Sequence, residues 1–386
     1  MTAQADPVII IGGGQSGLAA ARAALTAGLR PVVLHAGADP VGSWPDYYDS
    51  LTLFSPARYS ALPGMPFDGD PDRYPHRDEV TSYLRRYAQA LDAEICTRTR
   101  TVAVHARPDG GYLVRTDTGD ELAAVGVVAA SGSFGNPYLP ALPGQGDYGG
   151  DLRHVADYRR PEAYDGKRVV VVGAGNSAVQ VAYELATHAR VTLATREAVR
   201  FLPQRIRGRD LHHWLRVTGA DRLPRAVLTR LVRHATVLDP GRYQAAVTSG
   251  VLPRREMFTR FTPEGVVWSD GTTESIDAII YATGYRPDLD YLTPLGTLDR
   301  GVPGQVAGIS TTHPGLVYLG LEFQRSFASN TLRGVGRDAA FVMAALVAAH
   351  AGRRPRSSRQ RRDTPSGHPW PTSAMKADRA TDGAGT

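Results

Sequence analysis

The chain is poor in cysteine, and Cys96 is the single example among 386 residues. One thiol cannot close an internal disulfide, and it cannot form the C-x-x-C pair of a dithiol redox enzyme. The cysteine count therefore argues against a disulfide reductase of the thioredoxin-reductase kind.

Long apolar runs are also scarce. The longest late run, Ala339 to Ala351, is shorter than the roughly 20 residues that cross a bilayer. The first residues, MTAQADPVIII, lack the basic start and the cleavage site of a signal peptide. We therefore expect no membrane span and a cytoplasmic location.

Positive charge is unevenly distributed. The net charge is +6, and from Arg353 onward eight Lys and Arg residues stand against three Asp residues. This polar stretch predicts a disordered basic tail over residues 351–386, with a basic docking segment as the alternative. The rest of the chain is close to neutral, so we expect no nucleic-acid partner.

The segment from Val8 to His35 has the pattern of strand, glycine turn, helix and strand. Its turn matches G-x-G-x-x-G, in which the glycines allow a tight turn, a close approach to pyrophosphate and packing of the helix on the strand. We expect the phosphates to lie on the helix N-terminus. The turn residues expected to bind them are Gly12, Gly14, Gln15, Ser16 and Gly17.

His35 follows the second strand, PVVL, where this fold usually places an acid that binds ribose hydroxyls. A histidine can also hydrogen-bond a hydroxyl, so His35 is a candidate ribose ligand. The alternative is a surface residue just past the strand.

An irregular aromatic stretch, Val41 to Phe67, comes next and includes Gly42. Loops of this kind carry function when a rigid scaffold holds them. Trp44, Phe54 and Tyr59 either line a flat ring system or form a small core under the loop.

A second nucleotide signature runs from Lys167 to Arg196, with G-x-G-x-x-A at Gly173, Gly175 and Ala178. Duplication of one mononucleotide fold is the simplest explanation. This copy ends in Arg196, which suits the 2′-phosphate of NADP, whereas an acid would suit NAD. A surface arginine is the alternative.

Two short segments that contain a glycine come directly after predicted buried strands, at Gly132 and at Gly284 in ATGYRPD. We call them the glycine exits. We expect them where the chain passes between two domains. Residues 200–255 are predicted to be a helical insertion that could cap a pocket.

A spaced motif lies between the two signatures. Tyr148, Gly150, His154 and Tyr158 follow the order aromatic, any residue, Gly, three residues, His, three residues, aromatic. Read alone, His154 would be an ordinary surface histidine. We interpret it as a residue that orders the interdomain loop, with Gly150 permitting a close turn.

With the GAGNSA turn at Asn176 and Ser177 and the ATGYRP exit, this motif makes residues 6–350 resemble the flavin-containing monooxygenases. Tyr148 stands where Phe is usual, and Tyr158-Arg159 departs from the Baeyer–Villiger members. The segments LTLFSPARYSALPGMPF, YPHRDEV and RGVGRDAA are most similar to bacterial flavoproteins of arsenic-resistance operons, some of which are named for cation transport.

The resemblance implies an α/β protein with two Rossmann-like dinucleotide-binding domains, the NADP domain being inserted in the FAD domain. It implies an FAD-binding domain over 1–145 and 277–350 and an NADPH-binding domain over 160–270. It also implies FAD and NADPH as cofactors and no metal.

The implied reaction is NADPH-consuming oxygenation of a small molecule by O2 through a flavin C4a-hydroperoxide. The expected substrate offers a soft nucleophilic heteroatom: N, S or As. Since the flavin carries the chemistry, no catalytic acid–base pair is expected. One alternative is an NADPH-dependent flavin oxidoreductase that passes electrons to a quinone or protein partner. Another is a non-enzymatic nucleotide-binding protein, and a homodimer is left open.

Overall fold

The computed structural model describes residues 6–223, 227 and 236–353. Its helices are α1 (Gln15–Thr26), α2 (Arg77–Gln89), α3 (Asn176–Leu185), α4 (Leu211–Val217), α5 (Tyr243–Ser249) and α6 (Leu332–Arg353). The strands up to the interdomain motif are β1 (Val8–Ile11), β2 (Pro31–Leu34), β3 (Glu94–Cys96), β4 (Thr101–Ala106), β5 (Tyr112–Thr116), β6 (Glu121–Ala124), β7 (Gly126–Ala129) and β8 (Asp151–His154). The later strands are β9 (Arg168–Val172), β10 (Arg190–Thr195), β11 (Arg200–Pro203), β12 (Arg205–Ile206), β13 (Arg209–Asp210), β14 (Thr236–Asp239), β15 (Arg254–Glu256), β16 (Arg260–Thr262), β17 (Gly265–Val267), β18 (Thr273–Ser275), β19 (Ala278–Tyr281), β20 (Leu298–Asp299), β21 (Val302–Pro303), β22 (Gln305–Val306), β23 (Ile309–Ser310) and β24 (Leu316–Tyr318).

The first sheet has seven strands in the order β22-β23-β24-β7-β1-β2-β3, and the strands around β1 are parallel. β1 reads VIII and is buried along its whole length, as expected for a parallel strand covered on both faces. In register, Ile11 pairs with Leu34 and with Ala129, so β1, β2 and β7 end together. Their carboxyl ends form the edge at which the first glycine turn begins.

Helices α1, α2 and α6 pack together in one core on this sheet, with Leu18, Tyr83 and Val342 fully buried. A second core on the opposite side joins the β4-β5-β6 sheet and a 3-10 segment, Asp290–Leu295. Burial of one large aliphatic side chain stabilises a fold by about 1.5 to 3 kcal/mol. Both faces of the sheet are therefore covered by closely packed side chains, and the loops that follow its strands extend from a well-packed edge.

The second sheet is parallel throughout, in the order β15-β10-β9-β19-β8. The second sheet extends past the expected bounds of 160 and 270, because it includes β8 before them and β19 after them. β8 and β19 are short and neither is followed by a glycine signature, so the sequence pattern did not show that they belong to the second sheet. The insertion of this fold between β7 and β20 of the first fold is confirmed.

The segment expected as a helical insertion contains α4 and α5, and it also contains strands. β11 and β14 form a parallel pair, and β12 and β13 form a small hairpin. Residues 224–226 and 228–235 of this segment lie outside the described residues, and the tail from residue 354 onward lies outside them too. α6 extends to Arg353, past the expected start of the tail at residue 351. Within the described ranges, no helix is both long enough and apolar enough to span a membrane.

Candidate cofactor sites

The first glycine turn has the geometry of a phosphate cradle. Gly12 has φ +109°, and a Cβ there would lie 2.4 Å from the carbonyl oxygen of Ala130. A Cβ at Gly17 would lie 1.7 Å from the Gly12 oxygen, so the helix packs directly on the turn. Gly14 and Gly42 face each other, since a Cβ on Gly14 would come within 3.2 Å of the Gly42 Cα. Gly12, Gly17 and Gly42 therefore require glycine for close backbone approach, and the contact at Gly14 is tight.

The start of α1 is free to receive an anion. Gly14 is its N-cap, no side chain caps the helix, and its first turn holds no acidic residue. The first N–H groups of a helix lack intrahelical partners, and the helix dipole favours negative charge there. These donors fit the pyrophosphate of a dinucleotide.

His35 lies at the carboxyl end of β2, beside this turn. Its Nδ1 accepts a hydrogen bond from the Gly13 amide at 3.3 Å, so the proton of the neutral ring is on Nε2. Burial lowers the pKa of His35, which keeps the ring neutral near pH 7. The side chain lies just past the end of β2 and is half-buried.

Gln15 ties the aromatic loop to the turn. Its Nε2 donates to the Asn330 carbonyl oxygen at 2.7 Å, and its Oε1 accepts from the indole N–H of Trp44 at 3.2 Å. The first residue of α1 thus joins three segments. Trp44 lies beside the cradle, whereas Phe54 is exposed and Tyr59 packs toward His212.

The second glycine turn repeats the first. Gly173 has φ +144°, and a Cβ there would lie 2.4 Å from the Ala282 oxygen. Gly175 is the N-cap of α3, which has no side-chain cap and no acid in its first turn. Nothing lies within 4 Å of a Cβ built on Gly175. The second helix therefore also presents free N–H groups to open space.

The Asn176 side chain links the second glycine turn to the inserted segment. Its Oδ1 accepts from the Leu238 amide at 2.9 Å and so attaches β14 to the start of α3. The side chain therefore fixes the insertion, and its backbone remains part of the turn with Ser177.

Arg196 is exposed and follows directly on β10. Sequence reasoning missed a second cation at this edge, Arg254 on β15. Its Nε donates to the Thr195 hydroxyl at 2.7 Å. The signal for Arg254 was absent from the sequence, because only the pairing of β15 with β10 brings it to the strand end.

His154 joins the interdomain motif to the second glycine exit. It is 2% exposed, so the reading of a surface histidine is wrong. Its Nδ1 accepts from the Ala156 amide at 3.1 Å, which leaves the Nε2 proton to donate to the Gly284 carbonyl oxygen at 3.1 Å. Burial lowers the pKa of His154, so a neutral ring with one fixed tautomer links the two segments.

The other motif residues anchor this segment. A Cβ on Gly150 would lie 2.2 Å from the Tyr148 hydroxyl and 2.9 Å from the Asp277 oxygen. The Tyr148 hydroxyl donates to the Ile276 carbonyl oxygen at 2.9 Å, and the Tyr158 hydroxyl donates to Glu184 on α3 at 2.8 Å. Residues 148–158 thus form an ordered segment along β19, which we call the strap. The chain can pass this closely at Gly150 because a side chain there would collide with Tyr148 and Asp277.

A row of aromatic rings spans the two folds. The ring of Tyr47 lies 5.6 Å from that of Trp44 and 4.5 Å from that of Phe134. Tyr285 continues the row, 5.2 Å from Phe134 and 4.9 Å from His154. Phe134 and Tyr285 each follow a glycine exit closely, so the exits place aromatic groups between the two glycine turns.

Gly132 and Gly284, the exits themselves, have φ +76° and +85°, and no atom lies within 4 Å of a Cβ built on either. Glycine is favoured there by backbone conformation, since other residues rarely adopt this region. Among the described residues, no group of His, Cys, Asp and Glu is arranged to hold a metal ion.

Two sheets with parallel central strands, each carrying an uncapped glycine turn, are typical of oxidoreductases that bind two dinucleotides. The profile of the pyridine nucleotide-disulphide oxidoreductase family matches residues 9–320. The chain belongs to this family and, within it, to the flavin-containing monooxygenases.

Individual relatives agree. A flavin-containing monooxygenase from Stenotrophomonas maltophilia has 33% sequence identity and a TM-score of 0.76, over 89% of this chain and 99% of that one. Indole-3-pyruvate monooxygenase YUCCA1 of Oryza sativa is 31% identical over 73% of this chain and 77% of its own length. An uncharacterized CzcO-like oxidoreductase of Geobacillus kaustophilus is 29% identical over 78% and 86%. The resemblance, the two-domain fold and the enzyme class expected from the sequence are confirmed, and FAD and NADPH are the cofactors typical of such enzymes.

Proposed function

We propose that the protein is an FAD-dependent, NADPH-consuming monooxygenase that oxygenates a soft nucleophilic heteroatom: an amine N, a thioether S or trivalent As. The observation that carries the proposal is the pair of uncapped glycine turns, one in each fold, with the aromatic row from Trp44 to Tyr285 between them. This arrangement serves transfer between two nucleotides held in one cleft.

The first fold would hold FAD and the second NADPH. The residues proposed to hold FAD are Gly12, Gly14, Gln15, Ser16, Gly17, His35, Gly42, Trp44 and Gly132. The residues proposed to hold NADPH are Gly173, Gly175, Asn176, Ser177 and Arg196, and we add Arg254, which lies at the same sheet edge. Gly150, His154 and Gly284 are proposed to order the strap. We place the FAD domain at 6–147 and 285–350 and the NADPH domain at 148–284.

Bound FAD supplies the redox chemistry and the activation of O2. The chain's own residues bind, orient and exclude water. Amides at the two helix starts position the pyrophosphates. The half-buried His35, whose ring also hydrogen-bonds the Asp39 backbone, lies beside the first turn, where a ribose would bind. The aromatic row from Trp44 to Tyr285 presents apolar faces between the folds and shields the cleft.

The competing function is an NADPH-dependent flavin oxidoreductase serving a quinone or a protein partner. Both functions use the same cradles, so kinetics must separate them. The FAD-loaded enzyme is reduced anaerobically with NADPH and mixed with O2, and the flavin spectrum and H2O2 are followed. A delay before oxidised flavin returns, with H2O2 released only as it returns, supports the monooxygenase. Prompt return with stoichiometric H2O2 supports the oxidoreductase.

Substrate class is tested in the same system with an amine, a thioether, arsenite and a 2-oxo acid. The 2-oxo acid is included because relatives at 31% identity are named indole-3-pyruvate monooxygenases. Incorporation of one atom from 18O2 into a product, with NADPH consumed in equal amount, identifies a substrate. If only the 2-oxo acid is oxygenated, the heteroatom proposal is overturned.

A further inference from the structure

An arginine-rich pocket lies between α6 and the inserted segment, and it encloses about 230 Å3. The ionisable side chains that define this arginine pocket are Arg58, Arg216, Arg222, Arg333, Arg337 and Asp221. None of these residues belongs to either glycine turn.

Positive charge in the arginine pocket exceeds the negative charge. Asp221 is the one carboxylate among its described lining residues, and its Oδ2 lies 3.6 Å from Arg333 Nε and 3.8 Å from Arg337 Nη2. Arg58 pairs with Asp72 at 2.8 Å. Even with both acids counted, several guanidinium groups share a small volume. Their mutual repulsion falls when an anion enters.

Arg333 is the most confined of these cations. Its side chain is 12% exposed, and its Nη2 is buried without a hydrogen-bond partner among the described residues. Burial lowers the pKa of Arg333 and the neighbouring Arg337 acts in the same direction, while Asp221 opposes them. A buried guanidinium N–H that lacks an acceptor costs free energy. An oxyanion in the pocket would supply that acceptor.

Three segments build the pocket. Arg333 and Arg337 are four residues apart on α6 and so share one helix face. Asp221 and Arg222 come from the 3-10 turn Ala220–Arg222. Tyr59 also lines the pocket and stacks on His212 of the inserted segment at 6.5 Å. The cations thus lie beside the ring of Tyr59, which suits a small organic molecule that carries an oxyanion group.

We propose that the arginine pocket binds the oxyanion group of a small organic acid, either a carboxylate or a phosphate ester. Guanidinium groups form paired, charge-assisted hydrogen bonds to both kinds of group. The site is distinct from the two dinucleotide cradles, and it stands whether or not the monooxygenase reaction is confirmed.

The test is isothermal titration of the FAD-loaded protein with pyruvate, benzoate and inorganic phosphate, each at constant ionic strength. The variants are Arg337→Gln and Arg222→Gln, which leave the buried Arg333 in place. The matched control is Arg115→Gln, an exposed arginine paired with Glu121 on β6. Unfolding midpoints show whether each variant is folded.

We expect saturable binding of one anion per chain, weakened at least tenfold in Arg337→Gln and unchanged in Arg115→Gln. Binding of the carboxylates alone identifies a carboxylic acid, and binding of phosphate alone identifies a phosphate ester. The proposal is overturned if no anion binds, if all three variants weaken binding equally, or if saturating NADP+ abolishes binding.

Discussion

The Nε2 of His154 donates a hydrogen bond to the carbonyl oxygen of Gly284, 130 residues further along the chain, at 3.1 Å. One end of this bond lies in the interdomain motif and the other in a glycine exit between the folds. The pairing of His154 with Tyr281 in the sheet brings them together.

Replacing His154 should loosen this connection. His154→Ala removes two buried hydrogen bonds, so we expect the free energy of unfolding to fall by about 1 to 3 kcal/mol. Urea unfolding measures the change. His105→Ala, on a partly exposed strand position, is the control. An unchanged stability for both variants would contradict the role of this bond.

Buried neutral histidines should make stability depend on pH. The pKa values of His35 and His154 are both lowered by burial, so below about pH 6.5 the unfolded chain binds protons that the folded chain does not. The free energy of unfolding should therefore fall from pH 7 to pH 5.5. In His154→Gln this decline should be shallower. An equal slope in wild type and variant would show that His154 does not take part.

The cations at the end of β10 should select NADPH over NADH. Arg196→Ala and Arg254→Gln should each raise the KM for NADPH by roughly 10 to 100-fold, because a charge-assisted contact to the 2′-phosphate is lost. The KM for NADH should hardly change. Arg190→Ala, at the opposite end of the same strand, is the control. Equal effects on both nucleotides would remove the assignment.

A substitution at Gly175 should weaken nucleotide binding without changing the stability of the fold. A Cβ there meets no protein atom within 4 Å, so Gly175→Ala should unfold at the same temperature as wild type. The same methyl group would crowd a pyrophosphate at the start of α3, and binding of NADP+ should weaken. Equilibrium dialysis measures the affinity, with Gly146→Ala as the control because its Cβ also meets nothing. Undiminished binding would mean that the turn faces away from the nucleotide.

An acid at position 35 should improve FAD binding. A carboxylate in His35→Glu can accept the Gly13 amide and also the ribose hydroxyls, so we expect a lower Kd for FAD. Quenching of flavin fluorescence reports the Kd. His35→Gln, which keeps an acceptor without charge, distinguishes charge from shape. A Kd that rises in both variants would assign His35 a purely structural role at the turn.

Local patterns predicted much of this protein. The β-branched run Val8 to Ile11, the two glycine turns and the helices after them were read correctly, because each depends on residues close together in the chain. The spacing of Tyr148, Gly150, His154 and Tyr158 also singled out a segment that His154 holds in place through two hydrogen bonds.

Other features depend on strand order. β8 and β19 were assigned outside the inserted fold, and Arg254 was not singled out, because no short-range signal shows which strands become neighbours. The arginine pocket has the same origin, since Arg222 and Arg333 are distant in sequence.

The two dinucleotide folds could be predicted from residue order alone, since turn geometry and strand burial follow from neighbouring residues. Which groups share a sheet edge or a pocket became clear only from the folded chain. The reason is physical: long-range pairing depends on the packing of whole elements, which residue spacing does not encode.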